Sequence, residues 1–167
     1  MTVTTNATRG RANRRKGHDT ERAVARYLRS VGFPGAERAV RTSYRVDDRL
    51  VLDPLDITGI PGTVWSVKND ASNQITKWLD EAERLGHHHG AELAMLITRR
   101  RGKSAVGRWW AWVSLRALAR ALNGANVSSI PHAMRGHVCM ELGDLVPMLH
   151  AAGYGTPTGE PVLEHQP

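Results

Sequence analysis

Between Leu52 and Asp70 the chain reads LDPLDITGIPGTVWSVKND, and the Pro61-Gly62 pair in its middle is a strong turn signal. The flanks, Asp56 to Ile60 and Thr63 to Lys68, are rich in β-branched and aromatic residues, so the stretch predicts a β-hairpin. Strand side chains alternate, which sets Asp56 and Thr58 on one face of the first strand and Val64, Ser66 and Lys68 on one face of the second. One arrangement therefore brings Asp56, Ser66 and Lys68 into a single pocket. A carboxylate or an ammonium in an apolar strand is costly unless it pairs with its opposite, a metal or a substrate. These residues alone fit two readings, a structural ion pair at a sheet edge and a reactive site.

The rest of the chain supplies the elements that such a hairpin needs for packing. Asp19 or Thr20 caps an expected helix whose Ala23, Val24, Tyr27, Leu28 and Val31 form one stripe before Gly32. Glu21 lies on or beside that inward stripe, and Arg22, Arg26 and Arg29 project from the outer sides. Residues 37–46 have strand composition, and Asp47-Asp48 turns them into a second short strand from Arg49 to Asp53. After the hairpin, residues 73–86 make an amphipathic helix with Ile75, Trp78, Leu79, Ala82 and Leu85 on one face and Gly86 as its stop. His87, His88 and His89 then fall in a connection, where a solvated turn is favoured over a metal site.

Ala91 to Thr98 is a nearly continuous apolar run, as an interior strand requires. Arg108 to Val113 follows, with Trp109, Trp110 and Trp112 on both faces, and Ser114 caps a short helix that Gly124 closes. Asp144 to Ala152 makes one more helix. The order predicts an α/β fold, a mixed β-sheet flanked by helices. Residues 1–16 read as a disordered basic arm, 17–124 as the core domain, 125–154 as an extension of it, and 155–167 as a flexible tail.

Charge points to a polyanionic partner. The chain has 23 Lys and Arg against 16 Asp and Glu, and its first 135 residues hold all of the basic side chains but 12 of the acidic ones. Arg9, Arg11, Arg14, Arg15 and Lys16 in the arm, with Arg22, Arg99, Arg100 and Arg101, are the candidate DNA contacts. The single Cys139 excludes an intramolecular disulfide, no apolar run reaches membrane-spanning length, and the first sixteen residues lack a signal peptide's apolar core. A soluble, cytoplasmic protein with no membrane partner is expected.

Three pieces line up along the chain: Lys16-Gly17 followed by Glu21-Arg22, then Pro54-Leu55-Asp56-Ile57, then Ser66-Val67-Lys68. Together they resemble the PD-(D/E)XK nuclease superfamily, and within it the archaeal-type and phage Holliday junction resolvases. Those proteins open with KGxxxER on a helix, continue with an acid in a PD-type turn, and follow with (D/E)xK. The resemblance covers roughly residues 16–113. It implies a restriction-endonuclease-like αβββαβ core and a Mg²⁺-dependent endonuclease, with Mn²⁺ as a substitute, that hydrolyses phosphodiester bonds in branched DNA.

It further implies Asp56 as the central metal ligand, a backbone carbonyl from Val67, Lys68 orienting the hydrolytic water or holding the scissile phosphate, and Glu21 completing the acidic site. Two matched cuts across a four-way junction imply a homodimer, and the tryptophan-rich strand is its candidate surface. Ser66 departs from the pattern, because it stands where the second strand acid belongs. Three readings follow: Glu21 supplies the missing carboxylate, an acid such as Asp53, Asp70 or Glu81 reaches in, or the chain is a non-catalytic DNA-binding protein on a degenerate nuclease scaffold.

Overall fold

The apolar run at Leu93–Thr98 is a strand, β6, and each of its residues is buried. The computed structural model describes residues 6–39, 43–46, 49–52, 55–69, 72, 74–123 and 136–158, with the backbone alone for 6–14, 43–46 and 49–52. Ahead of β6 come α1 (Asn6–Ser30), β1 (Glu37–Arg38), β2 (Ser43–Val46), β3 (Arg49–Leu52), β4 (Ile57–Thr58), β5 (Thr63–Lys68) and α2 (Ile75–His89). Behind it come a 3₁₀ turn (Val106–Arg108), β7 (Trp110–Ser114), α3 (Leu115–Asn123), β8 (His137–Glu141) and α4 (Leu142–Ala151).

The fold is α/β. Six strands form one mixed sheet in the order β1-β4-β5-β6-β7-β8, and β2 and β3 pair as a separate hairpin. Strands β5 and β6 run parallel, while the other neighbours in the sheet run antiparallel. A parallel pair needs a crossover, and α2 provides it. Register then sorts the side chains by face. Ser66, Leu96, Trp112 and Cys139 lie in one row, and Lys68, Thr98, Trp110 and Glu141 in the next, all on the same face.

That face is covered by α2, whose Ala82 packs with Val64 and Ala94 and whose Trp78 and Leu79 pack with Leu96. The opposite face presents Trp65, Val67, Met95, Ile97, Ala111 and Val113 to Val24 and Leu28 of α1 and to Leu142, Leu145 and Leu149 of α4. Fully burying each such side chain contributes about 1.5–3 kcal/mol, so the α1 side carries most of the hydrophobic stabilisation.

Several expectations are corrected. The stretch read as a disordered arm is helical from Asn6 onward, and α1 begins there instead of at Asp19 or Thr20. Ala, Arg and Lys are good helix formers, and no proline interrupts residues 6–16. Helix α2 runs through Gly86 and stops at Gly90, which takes φ 65°. Gly86 is buried within the helix, in ordinary contact range of Ala94, and the three histidines occupy the last turn, exposed. Residues 37–46 do not form one strand: β1 joins the main sheet and β2 the separate hairpin. Asp47-Asp48, Asp53, Pro54, Asp70, Gly124 and residues 125–135 and 159–167 lie outside the described residues.

The tryptophan strand is also corrected. Strand β7 is interior, paired by β6 on one side and by β8 on the other. Trp109 is 3% exposed, Trp112 joins the α2 cluster and donates its indole N–H to Thr98 Oγ1 at 3.1 Å, and Arg100 stacks 4.1 Å from the Trp110 ring centroid. The strand is therefore an interior one, with Trp110 and Trp112 half-buried by these contacts.

Two glycines let β4 approach the loop behind α1. Gly59 has φ +82°, and a methyl group there would collide with the Gly35 carbonyl oxygen, while one on Gly35 would collide with that of Gly59. Backbone cannot yield as a flexible side chain does. Gly59→Ala is expected to cost about 3 kcal/mol or more, read as a lowered urea midpoint. A midpoint equal to wild type would contradict this packing.

Candidate active site

Asp56 stands at the entrance to β4, one residue before the strand. Its backbone is fixed in the sheet, with its N–H donating to the Trp65 carbonyl at 3.3 Å and its carbonyl accepting from the Ala39 N–H at 3.0 Å. The side chain points to the α2 face and is 2% exposed. Its Oδ2 accepts the Val67 backbone N–H at 2.7 Å and the Ser66 hydroxyl at 3.3 Å, and Lys68 Nζ lies 3.9 Å away. Those donors explain how a carboxylate is tolerated in the interior. The lysine separation is that of an ion pair and not of a hydrogen bond, which leaves the ammonium hydrogens free to turn outward. Its side chain is 30% exposed.

The hairpin expectation thus holds in its essential point, since Asp56, Ser66 and Lys68 are together. Val67 turns its side chain into the α1-side core, so only its backbone faces the site.

Ser66 reaches two environments. It donates to Asp56, and with Lys68 it also lines a cavity of about 310 Å³ whose other walls are Glu81, Ala82, Arg84 and Leu85 of α2. An acid from a different element therefore borders the position where a strand acid is missing. Glu81 follows Trp78 by three residues and precedes Leu85 by four, so it sits on the flank of the apolar stripe that clamps α2 to the sheet. That spacing was the signal available in the sequence.

Glu21 is placed differently. It is buried on α1, on the other side of the sheet, and Arg38 Nε donates to its Oε2 at 3.0 Å. Arg38 pairs in register with Ile57, whose neighbour across β5 is Trp65, and this puts the ion pair on the α1 face. Its helix still meets the end of β5, because Asn69 Nδ2 donates to Thr20 Oγ1 at 2.9 Å.

The basic candidates divide in the same way. Arg15, Lys16, Arg22, Arg99 and Arg101 are exposed, with Arg22 3.2 Å from Asp19. Arg99 stays beside the site because its N–H donates to the Lys68 carbonyl at 3.0 Å. Arg100 is held between Trp110 and Glu141, the latter at 2.8 Å, so it braces the loop. The side chains of Arg9, Arg11 and Arg14 lie outside the described residues.

The oxygen donors at or next to the cavity are the Glu81 and Asp56 carboxylates and the Ser66 hydroxyl, hard groups that suit Mg²⁺ or Mn²⁺ and not a soft ion. Among the described residues no three His, Cys, Asp or Glu side chains gather at one point. Mg²⁺ needs only one or two carboxylates when waters and substrate phosphate complete its shell, and Glu81 borders the cavity while Asp56 is joined to it through Ser66 and Lys68. Cys139 lies on the same face and is exposed; desolvation pushes its thiol pKa up, and Arg100 opposes that in part. Comparison with protein-family models, curated proteins and solved structures returned no match to this chain.

Proposed function

We propose that this protein is a metal-dependent DNA endonuclease of the PD-(D/E)XK type, acting on branched DNA as a Holliday junction resolvase does. The observation that carries the reading is the meeting of buried Asp56 with Ser66 and Lys68, and of the latter two with Glu81 around one cavity. The order α1, β1, β4, β5, α2, β6 supports a restriction-endonuclease-like αβββαβ core, with the β2-β3 hairpin as an insertion. The α1-to-Asn69 contact supports the placement of the KGxxxER segment beside the site.

In this reading Asp56 and Glu81 would hold Mg²⁺, and Ser66 keeps Asp56 oriented by donating to its Oδ2 at 3.3 Å. The ion, when bound, lowers the pKa of a coordinated water and screens charge that builds on the phosphate. Lys68 presents its ammonium to a phosphate oxygen or to the attacking water, in a partly dry site where that charge acts strongly. Arg84 and Arg99 add positive potential around the scissile group. Glu21, committed to Arg38, positions α1 and leaves the second carboxylate to Glu81.

Ser66 also favours a second reading, a DNA-binding protein on a degenerate nuclease scaffold. A cleavage panel over junction, flap, nicked and linear DNA, with Mg²⁺ and with Mn²⁺, separates the two. The resolvase reading expects metal-dependent nicks, strongest on the junction; salt-sensitive binding without nicks under either metal would favour the scaffold reading.

Two matched cuts across a junction need two copies of a chain with one such site, so this function carries a homodimer. Light scattering at micromolar concentration is expected to give about twice 18.4 kDa. A monomer that stays monomeric on junction DNA would reduce the assignment to a simple nicking enzyme.

A further inference from the structure

The outer face of α1 carries a stripe that the site does not use. Arg15, Arg22, Arg26 and Arg29 are all exposed. At 100° per residue they fall within about 60° of arc, and at 1.5 Å per residue they span about 21 Å of helix. Beside the stripe lies a cavity of about 350 Å³ lined by Arg22, Ala25, Arg26, Arg29, Glu37 and Arg38. Arg29 is fixed there by donating to the Ala36 carbonyl at 2.6 Å, and Arg38 by Glu21 at 3.0 Å. Asp19 and Glu37 are the exposed acids nearby, so arginines dominate the surface.

The stripe and the cavity at Ser66, Lys68 and Glu81 lie on opposite sides of the molecule. Helix α1 packs Val24 and Leu28 on the Trp65 and Val67 face, whereas α2 packs on the Val64 and Leu96 face. The sheet plus a helix about 10 Å thick separates them. Duplex DNA is stiff, and bending a short site by 40–90° costs on the order of 1–6 kcal/mol. A straight duplex at the cavity therefore does not also follow the stripe. A branched DNA offers two duplex arms to the two surfaces without that cost.

We propose that the outer face of α1 is a second DNA-binding surface, which holds the phosphate backbone of a duplex arm other than the one cut, and so selects branched over linear DNA. This rests on the nuclease reading of the cavity. The test is the affinity of the full chain for a four-way junction and for a linear duplex of the same arm sequence, across a salt series in EDTA. The triple variant R15Q/R22Q/R26Q, which spares the pinned Arg29, is compared with wild type after its melting temperature confirms the fold.

The variant should bind the junction about tenfold or more weakly, with a salt slope lower by up to about 2.7, while its affinity for the linear duplex changes far less. Equal losses on both DNAs, or no loss, would overturn the second surface while leaving the cleavage assignment standing. Failure of the wild type to bind any of these DNAs would overturn the nuclease reading itself.

Discussion

Asp56→Asn is expected to reduce metal-dependent DNA cleavage by about a thousandfold or more while leaving the protein folded. The asparagine keeps an oxygen that accepts the Val67 N–H and the Ser66 hydroxyl, both of which end on Asp56 Oδ2 in the wild type. What it removes is the negative charge that Lys68 faces at 3.9 Å and that a divalent ion would require. Asp56→Ala is a poorer probe, because it strands a buried N–H and a buried hydroxyl, at about 1–3 kcal/mol for each. Single-turnover cleavage together with a urea titration distinguishes the effects. Cleavage by Asp56→Asn at the wild-type rate would remove Asp56 from the chemistry.

A second large effect is expected at Glu81. Glu81→Gln should lower the single-turnover rate by about a hundredfold, since each 1.36 kcal/mol of lost transition-state stabilisation is a factor of ten. Glu81→Gln with Ser66→Glu should recover part of that loss, because a strand carboxylate then borders the same cavity from its other wall. Glu21→Gln is the comparison. It breaks the 3.0 Å pair with Arg38 on the α1 face and should act on stability more than on rate. A full rate in Glu81→Gln with a collapse in Glu21→Gln would reverse the assignment of the second carboxylate.

The legible parts of this fold are those where side-chain period and turn chemistry agree. Pro61-Gly62 and the alternation around it allow an arrangement that unites Asp56, Ser66 and Lys68, which is the one found, and the apolar run at β6 marks an interior strand. One glycine misleads: Gly86 looks like a helix stop but lies buried inside α2, and the αL stop falls at Gly90. Strand β8 gives little local signal, because His137–Glu141 is short and has no fully buried residue, and only its partner β7 makes it a strand.

Without β8, Trp110 and Trp112 look like an open apolar face. At the candidate site, the packing of α1 and α2 on opposite faces of the sheet, with Glu21 paired to Arg38, comes from long-range contacts that no local pattern encodes. Glu81 was within reach of the sequence as one of several acids. Its cavity, shared with Ser66 and Lys68, singles it out.

The most direct measurement is single-turnover cleavage of a labelled four-way junction, with wild type and Asp56→Asn purified side by side and assayed in Mg²⁺, in Mn²⁺ and in EDTA. The nuclease account predicts nicks from the wild type in either metal, none in EDTA, and none above background from the variant. Junction binding by the wild type with no cleavage in either metal, or equal cleavage by the two proteins, would contradict it.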